Sequence, residues 1–130
     1  MARLSQIKKV PYILEAEREL SKNEQSVFTL QDLNPMQAAQ VYDVLFEDGK
    51  LSFSIRSLII AAELGIVGWH NVIDDTDKPI SFTHHAVKLL PVNILTEIGL
   101  EVMKQSFPEF RTVLDANATS DTQDEEVPLD

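Results

Sequence analysis

Between Gly65 and His85 the chain reads GIVGWHNVIDDTDKPISFTHH, which gathers its only tryptophan (Trp69), its three histidines (His70, His84, His85) and the aspartates Asp74, Asp75 and Asp77. Imidazoles and carboxylates this close together suggest metal ligation or acid–base chemistry. Calcium is tested by spacing. A loop opening at Asp75, with Asp77 at the alternate position, needs glycine at its sixth residue and glutamate at its twelfth. Those positions hold Ile80 and Ala86. Zinc on one helix face needs two imidazoles four residues apart, so that both lone pairs converge. His84 and His85 are adjacent and point about 100° apart on a helix. There is no cysteine, no nucleophile elbow and no glycine loop to cradle phosphate. The expectation is a protein without catalytic residues, metal or cofactor, not an enzyme, in which DDTDKP is an exposed turn. Trp69 has two readings: a core plug whose indole N–H finds a backbone carbonyl, or an interface anchor. The core reading is favoured, because a lone aromatic among Ile66, Val67 and Val72 is more often buried.

The elements that position this stretch are legible from period and caps. VPYIL and SVFTLQDL are β-branched and aromatic, as a strand pair requires. Between them EAERELSKNEQ fits either a short helix or a hairpin loop. Asn34 caps a first helix with Pro35 at its first position, and Ala38, Val41, Tyr42 and Leu45 make one apolar stripe. Asp48-Gly49 ends it. Ser54 caps a second helix with the stripe Ile55, Leu58, Ile59 and Ala62. Further apolar residues widen that stripe, so this helix is expected at the centre, with Gly65 just past its end. Thr83 caps a short third helix. A fourth begins near Pro91 with Ile94, Leu95, Ile98 and Val102 inward and Glu97, Glu101 and Lys104 toward water. The expected fold class is mainly α: a small single domain of about four to five helices that admits a short N-terminal β-hairpin.

The chain has 130 residues, 44% hydrophobic and 25% charged, which suits one soluble domain. Residues 1–114 are expected to fold and 115–130 to form an acidic flexible tail. Of the 21 acids, six lie in that tail (Asp115, Asp121, Asp124, Glu125, Glu126, Asp130) without a base. The remainder of the −10 charge is a milder −4. Such a balance repels phosphate backbones, so nucleic acid is not the expected partner; Arg3, Lys8 and Lys9 make only a short basic arm. The longest apolar run, SLIIAAELGIVGW, is too short to span a membrane, and an intracellular protein is expected.

The order of these pieces resembles the tail assembly chaperones of long-tailed, non-contractile bacteriophages. That family carries a GW-x-N segment, a D-x-D-G-x-P-x-x-F-T turn and a helix ending in LP. Here the matching residues are Gly68-Trp69-His70-Asn71, Asp75 through Thr83 with one position fewer than the pattern, and Leu90-Pro91. The upstream EQSVFTLQDLNPMQAAQVYD is similar to its strand and first helix, so the likeness covers about residues 24–104. Lys78 departs from the family pattern, standing where a glycine is expected. The resemblance implies a non-enzymatic viral tail assembly factor of the host cell cytoplasm, absent from the mature virion. It implies binding of the tape measure protein, and of the tail-tube protein through a longer frameshifted form. Partner contacts are then expected at Ile60, Leu64, Ile66, Val67 and Trp69, with Phe107, Phe110 and Leu114 as a second patch; all are also natural core residues. An apolar face without its client favours self-association into an oligomer.

Two other readings compete. An acidic regulatory protein, a DNA mimic or antitoxin, would occupy a basic partner, although it needs an acidic stripe on the folded body. A small metal enzyme would be built on His70, His84, His85 and the nearby aspartates, and would retain metal on purification.

Overall fold

A computed structural model of the chain describes residues 8–47 and 49–108. The acidic tail and the expected contacts Phe110 and Leu114 lie outside the described residues. The two β-rich stretches form β1 (Lys9–Ile13) and β2 (Val27–Gln31), antiparallel with Val10 opposite Leu30 and Tyr12 opposite Phe28. Pro11 is tolerated because β1 is an edge strand. The polar stretch between them is a hairpin loop holding two single 3-10 turns, Glu15–Glu17 and Lys22–Glu24. Buried Gln25 closes it, its Nε2 pointing at the carbonyls of Glu17, Arg18 and Leu20 at 3.1–3.2 Å.

Helix α1 (Pro35–Leu45) starts as its sequence predicts. The Asn34 side chain accepts from the Gln37 amide at 2.8 Å, and the Gln37 side chain accepts from the Asn34 amide at 2.9 Å. This capping box satisfies two otherwise orphaned donors. The chain leaves α1 directly into β3 (Phe46–Glu47), which pairs with β4 (Lys50–Leu51) across a turn where Gly49 has φ +77°. Ser54 then caps α2 (Ile55–Gly65), accepting from the Ser57 amide at 3.2 Å. Without a break α2 becomes β5 (Ile66–His70), antiparallel to β2. The sheet order is β1-β2-β5. Thr29 pairs with Gly68 but Leu30 with Ile66, so Val67 is the extra residue of a bulge. Thr83 caps α3 (His84–Val87), and α4 (Val92–Ser106) follows Pro91.

The mainly α expectation is therefore corrected. Among the described residues, four α-helices stand with a three-stranded antiparallel sheet, at 48% helix and 20% strand, a mixed α/β fold. The reason is β5. IVGWH reads as a connector because it continues an apolar helix and has glycine at its centre, yet it completes the sheet whose central strand carries the buried Phe28 and Leu30. A two-stranded ribbon alone is marginal in water, and the third strand and the helices supply its support.

Packing of α2 also differs from its expected stripe. Ile55 is 62% exposed, and the buried side carries Ser57, Ala61, Ala62 and Gly65. The cause is the closeness of α4: a Cβ added at Gly99 would overlap the backbone carbonyl of Leu58. Only small residues allow helix backbones to approach this far, so Ser57, Ala61 and Gly65, four apart, become the contact face. Gly65 is accordingly the last helical residue rather than a left-handed cap, and a Cβ there would lie 2.6 Å from both methyls of Val102. Glu97 also departs from its expected outward position. Its Oε2 accepts from the Tyr12 hydroxyl at 2.6 Å and from the Glu15 amide at 2.9 Å, joining α4 to the N-terminal hairpin.

Candidate functional site

The stretch from Asn71 to Thr83 is built from its turns upward. Asn71 has φ +64°, a conformation asparagine tolerates better than most side chains. Its Nδ2 donates to the carbonyls of Asn23 and Gln25, both at 3.1 Å, and its own carbonyl accepts from the Ser26 hydroxyl at 2.7 Å. The strand is thereby bent out of the sheet and tied to the loop before β2. A small hairpin follows. Ile73 bridges to Pro79, the Asp74 amide donates to the Lys78 carbonyl at 2.9 Å, and the Asp77 amide donates to the Asp74 carbonyl at 3.0 Å.

Asp77, with φ +63°, occupies the left-handed third position of this loop. The position requiring such a residue is thus Asp77, and Lys78 meets no such demand. Asp74 fills the loop from within: its Oδ1 accepts from the Thr76 hydroxyl at 2.7 Å, the Thr76 amide at 2.8 Å and the Lys78 amide at 3.0 Å. Those bonds, the Thr76 hydroxyl foremost, hold its carboxyl below the usual aspartate range. The acidic cluster is a turn whose carboxylate is engaged by its own backbone.

Trp69 stands at the base of this hairpin. Its ring meets Phe28 edge-to-face at 6.1 Å and Phe82 at 5.2 Å, and its Nε1 donates to the Ile80 carbonyl at 2.8 Å. Each such aromatic pair contributes about 0.5–1.5 kcal/mol beyond area burial. The indole thus clamps the far strand of the hairpin to the sheet. The three histidines are exposed, His84 with its ring 5.5 Å from Phe82. No group of three or more His, Asp or Glu side chains among the described residues converges to hold a metal ion.

What the clamp creates is a recess. A cavity of about 400 Å³ opens between the hairpin and the α3–α4 corner, lined chiefly by Trp69, Val72, Ile73, Ile80, Leu89 and Leu90, with Asp74 and Asp75 beside it. Leu89 is 72% exposed and Ile73 49%, and Val92 continues the apolar surface at the start of α4. Single exposed apolar residues are ordinary, but several lining one concavity make it a candidate binding surface.

No known family, curated protein or solved structure matches this chain. The site therefore rests on its geometry alone. Of the expected contact residues that the structure describes, only Trp69 lines the recess. Ile66 and Phe107 are core, at 0% and 4% exposure. Ile60 and Leu64 are half-buried against that core, and Val67 is the half-buried bulge residue. Sequence reasoning missed Ile73, Ile80, Leu89 and Leu90. The available signal was two isoleucines flanking a proline-closed turn, Ile73 and Ile80, followed by the pair Leu89-Leu90 after a helix of one turn. No helix among the described residues is long and apolar enough to cross a membrane.

Proposed function

We propose that this chain is a non-catalytic assembly chaperone that holds an apolar client segment in the recess beside Trp69. The observation that carries this reading is the open apolar recess with Leu89 and Ile73 at its edges. A concavity of this kind fits the apolar face of an amphipathic helix, whose anchors recur at three- and four-residue intervals. The resemblance to phage tail assembly chaperones names the client as the tape measure protein, with the tail-tube protein recruited by a longer frameshifted form. It also implies a complex of the host cell cytoplasm, absent from the mature virion. Of the residues carrying that resemblance, Trp69, Asp75, Ile80, Leu90 and Pro91 line the recess, which supports the reading.

The test is co-expression of the full chain with the tape measure and tail-tube proteins, followed by affinity capture. Leu89→Asp is the informative variant, because Leu89 reaches solvent and the fold does not depend on it. Trp69→Ala is not, since it would also remove the indole bond to Ile80 and two ring contacts. Burying a leucine contributes about 1.5–3 kcal/mol, so Leu89→Asp should lower tape measure capture by about tenfold or more. Its circular dichroism should stay that of the parent. If the parent chain, folded and soluble, captures neither protein, the chaperone reading fails and the acidic regulator of a basic partner takes its place.

A further inference from the structure

A second exposed apolar patch lies away from the recess, where α1 runs into the β3–β4 hairpin. Phe46 is 46% exposed and faces Leu51 across that hairpin, while Ile55 projects from the first turn of α2. The Phe46 ring stacks on Tyr42, 6.0 Å between centroids and 8° from parallel, which fixes its attitude at the surface. Together with Asp43, Val44, Ser54 and Arg56 it lines a concavity of about 360 Å³. Asp43 and Arg56 are both exposed, and neither has an ion-pair or hydrogen-bond partner among the described residues. The patch thus presents one unpaired acid, one unpaired base and the apolar groups Phe46 and Ile55.

We propose that this patch is a two-fold contact between two copies of this chain. In such an interface the same surface is used twice, so whatever residue i touches on its neighbour must touch residue i in return. A surface carrying one acid and one base meets that condition: Arg56 of each copy faces Asp43 of the other, and Phe46 and Ile55 are buried between the two pairs. A uniformly acidic or basic partner would leave one of the two charges facing its own sign. The recess beside Trp69 lacks this property, because its lining is charged only by Asp74 and Asp75 and would repel its own copy. The self-association expected from the sequence is therefore assigned to the Phe46 face, which leaves the Trp69 recess open to a different molecule. This assignment stands independently of the chaperone reading.

Sedimentation velocity of the full chain over a concentration series tests it. The parent should dimerise. Asp43→Arg and Arg56→Asp should each raise the dimer dissociation constant by about tenfold or more, since each brings like charges together twice per dimer. Mixed in equal amounts, the two single variants should form a heterodimer. The arginine introduced in one then faces the aspartate introduced in the other, and the native pair of Arg56 with Asp43 survives on the other side. Both substitutions are at exposed positions, and recovery on mixing excludes misfolding as the cause of their defect. Ile55→Asp should give a monomer that no mixing restores. A parent that stays monomeric at every concentration overturns the proposal, and so does a dimer indifferent to these substitutions or single variants that fail to recover on mixing.

Discussion

At the residue scale, the Asp74 carboxylate is a structural group of the Asn71–Thr83 stretch, and its titration reports this. Its folded pKa lies below the unfolded value because the ionised form accepts from the Thr76 hydroxyl and from the Lys78 and Thr76 amides. The contribution of those bonds is complete above about pH 3.9, the ordinary aspartate value, and is lost as pH falls through the lower folded value. Amide chemical shifts of Thr76 and Lys78 should therefore titrate together with a midpoint below about 3.9. A midpoint at or above that value would contradict the engaged carboxylate. The role of Trp69 was half legible. An indole N–H needs an acceptor when its ring is packed, and the sequence reading expected a backbone carbonyl; that the carbonyl belongs to Ile80 follows from the hairpin. Lys78 at the expected glycine position is explained at this scale too, since the left-handed residue is its neighbour Asp77.

At the scale of elements, helix starts were the most legible features. Asn34, Ser54 and Thr83 each cap the helix predicted for them, because a cap is a contact between residues three apart and needs no tertiary partner. The buried side of α2 was not legible. Periodicity selects the largest apolar side chains, but α4 lies against the small ones, with Gly99 on the backbone of Leu58. Gly99→Ala should consequently force the two helices apart and destabilise the fold by about 3 kcal/mol, the upper end of overpacking effects. Chemical denaturation would measure it. A loss no larger than a few tenths of a kcal/mol would mean that α2 and α4 can separate without penalty. Strand β5 escaped notice for a related reason: a short apolar run can be helix tail or buried strand, and only its pairing with β2 decides.

At the scale of the molecule, the N-terminal hairpin and α4 are joined by a polar contact spanning most of the described chain. Tyr12 donates its hydroxyl to Glu97 at 2.6 Å. Burial first, and then this bond to a carboxylate, push the Tyr12 hydroxyl well above the usual tyrosine range. The neutral phenol is the form the fold prefers, so this contribution is intact below about pH 10 and is lost as the solution becomes more alkaline. Tyr12→Phe should destabilise the protein by about 1.5–3 kcal/mol, the usual worth of a hydrogen bond to a charged group. Thermal or urea unfolding at neutral pH checks this, and unchanged stability would show that solvent replaces the bond. The same scale separates the two open surfaces. The recess beside Trp69 is charged by acids only, and the Phe46 face by one charge of each sign, so the first suits a foreign segment and the second a copy of the chain.

By itself the sequence, which admitted the β1–β2 pair, determined the local features: three side-chain helix caps and the acidic turn. These depend on neighbours within a few residues, where backbone geometry leaves little choice. Only the tertiary structure decided which faces meet. It made β5 the third strand and turned a mainly α expectation into a mixed fold. It moved Glu97 from the surface onto Tyr12, and placed Ile66 and Phe107 in the core while leaving Leu89, Ile73, Phe46 and Ile55 exposed. Hydrophobicity is a property of a residue, but burial is a property of the space around it, and that space is set by how closely distant backbones can approach.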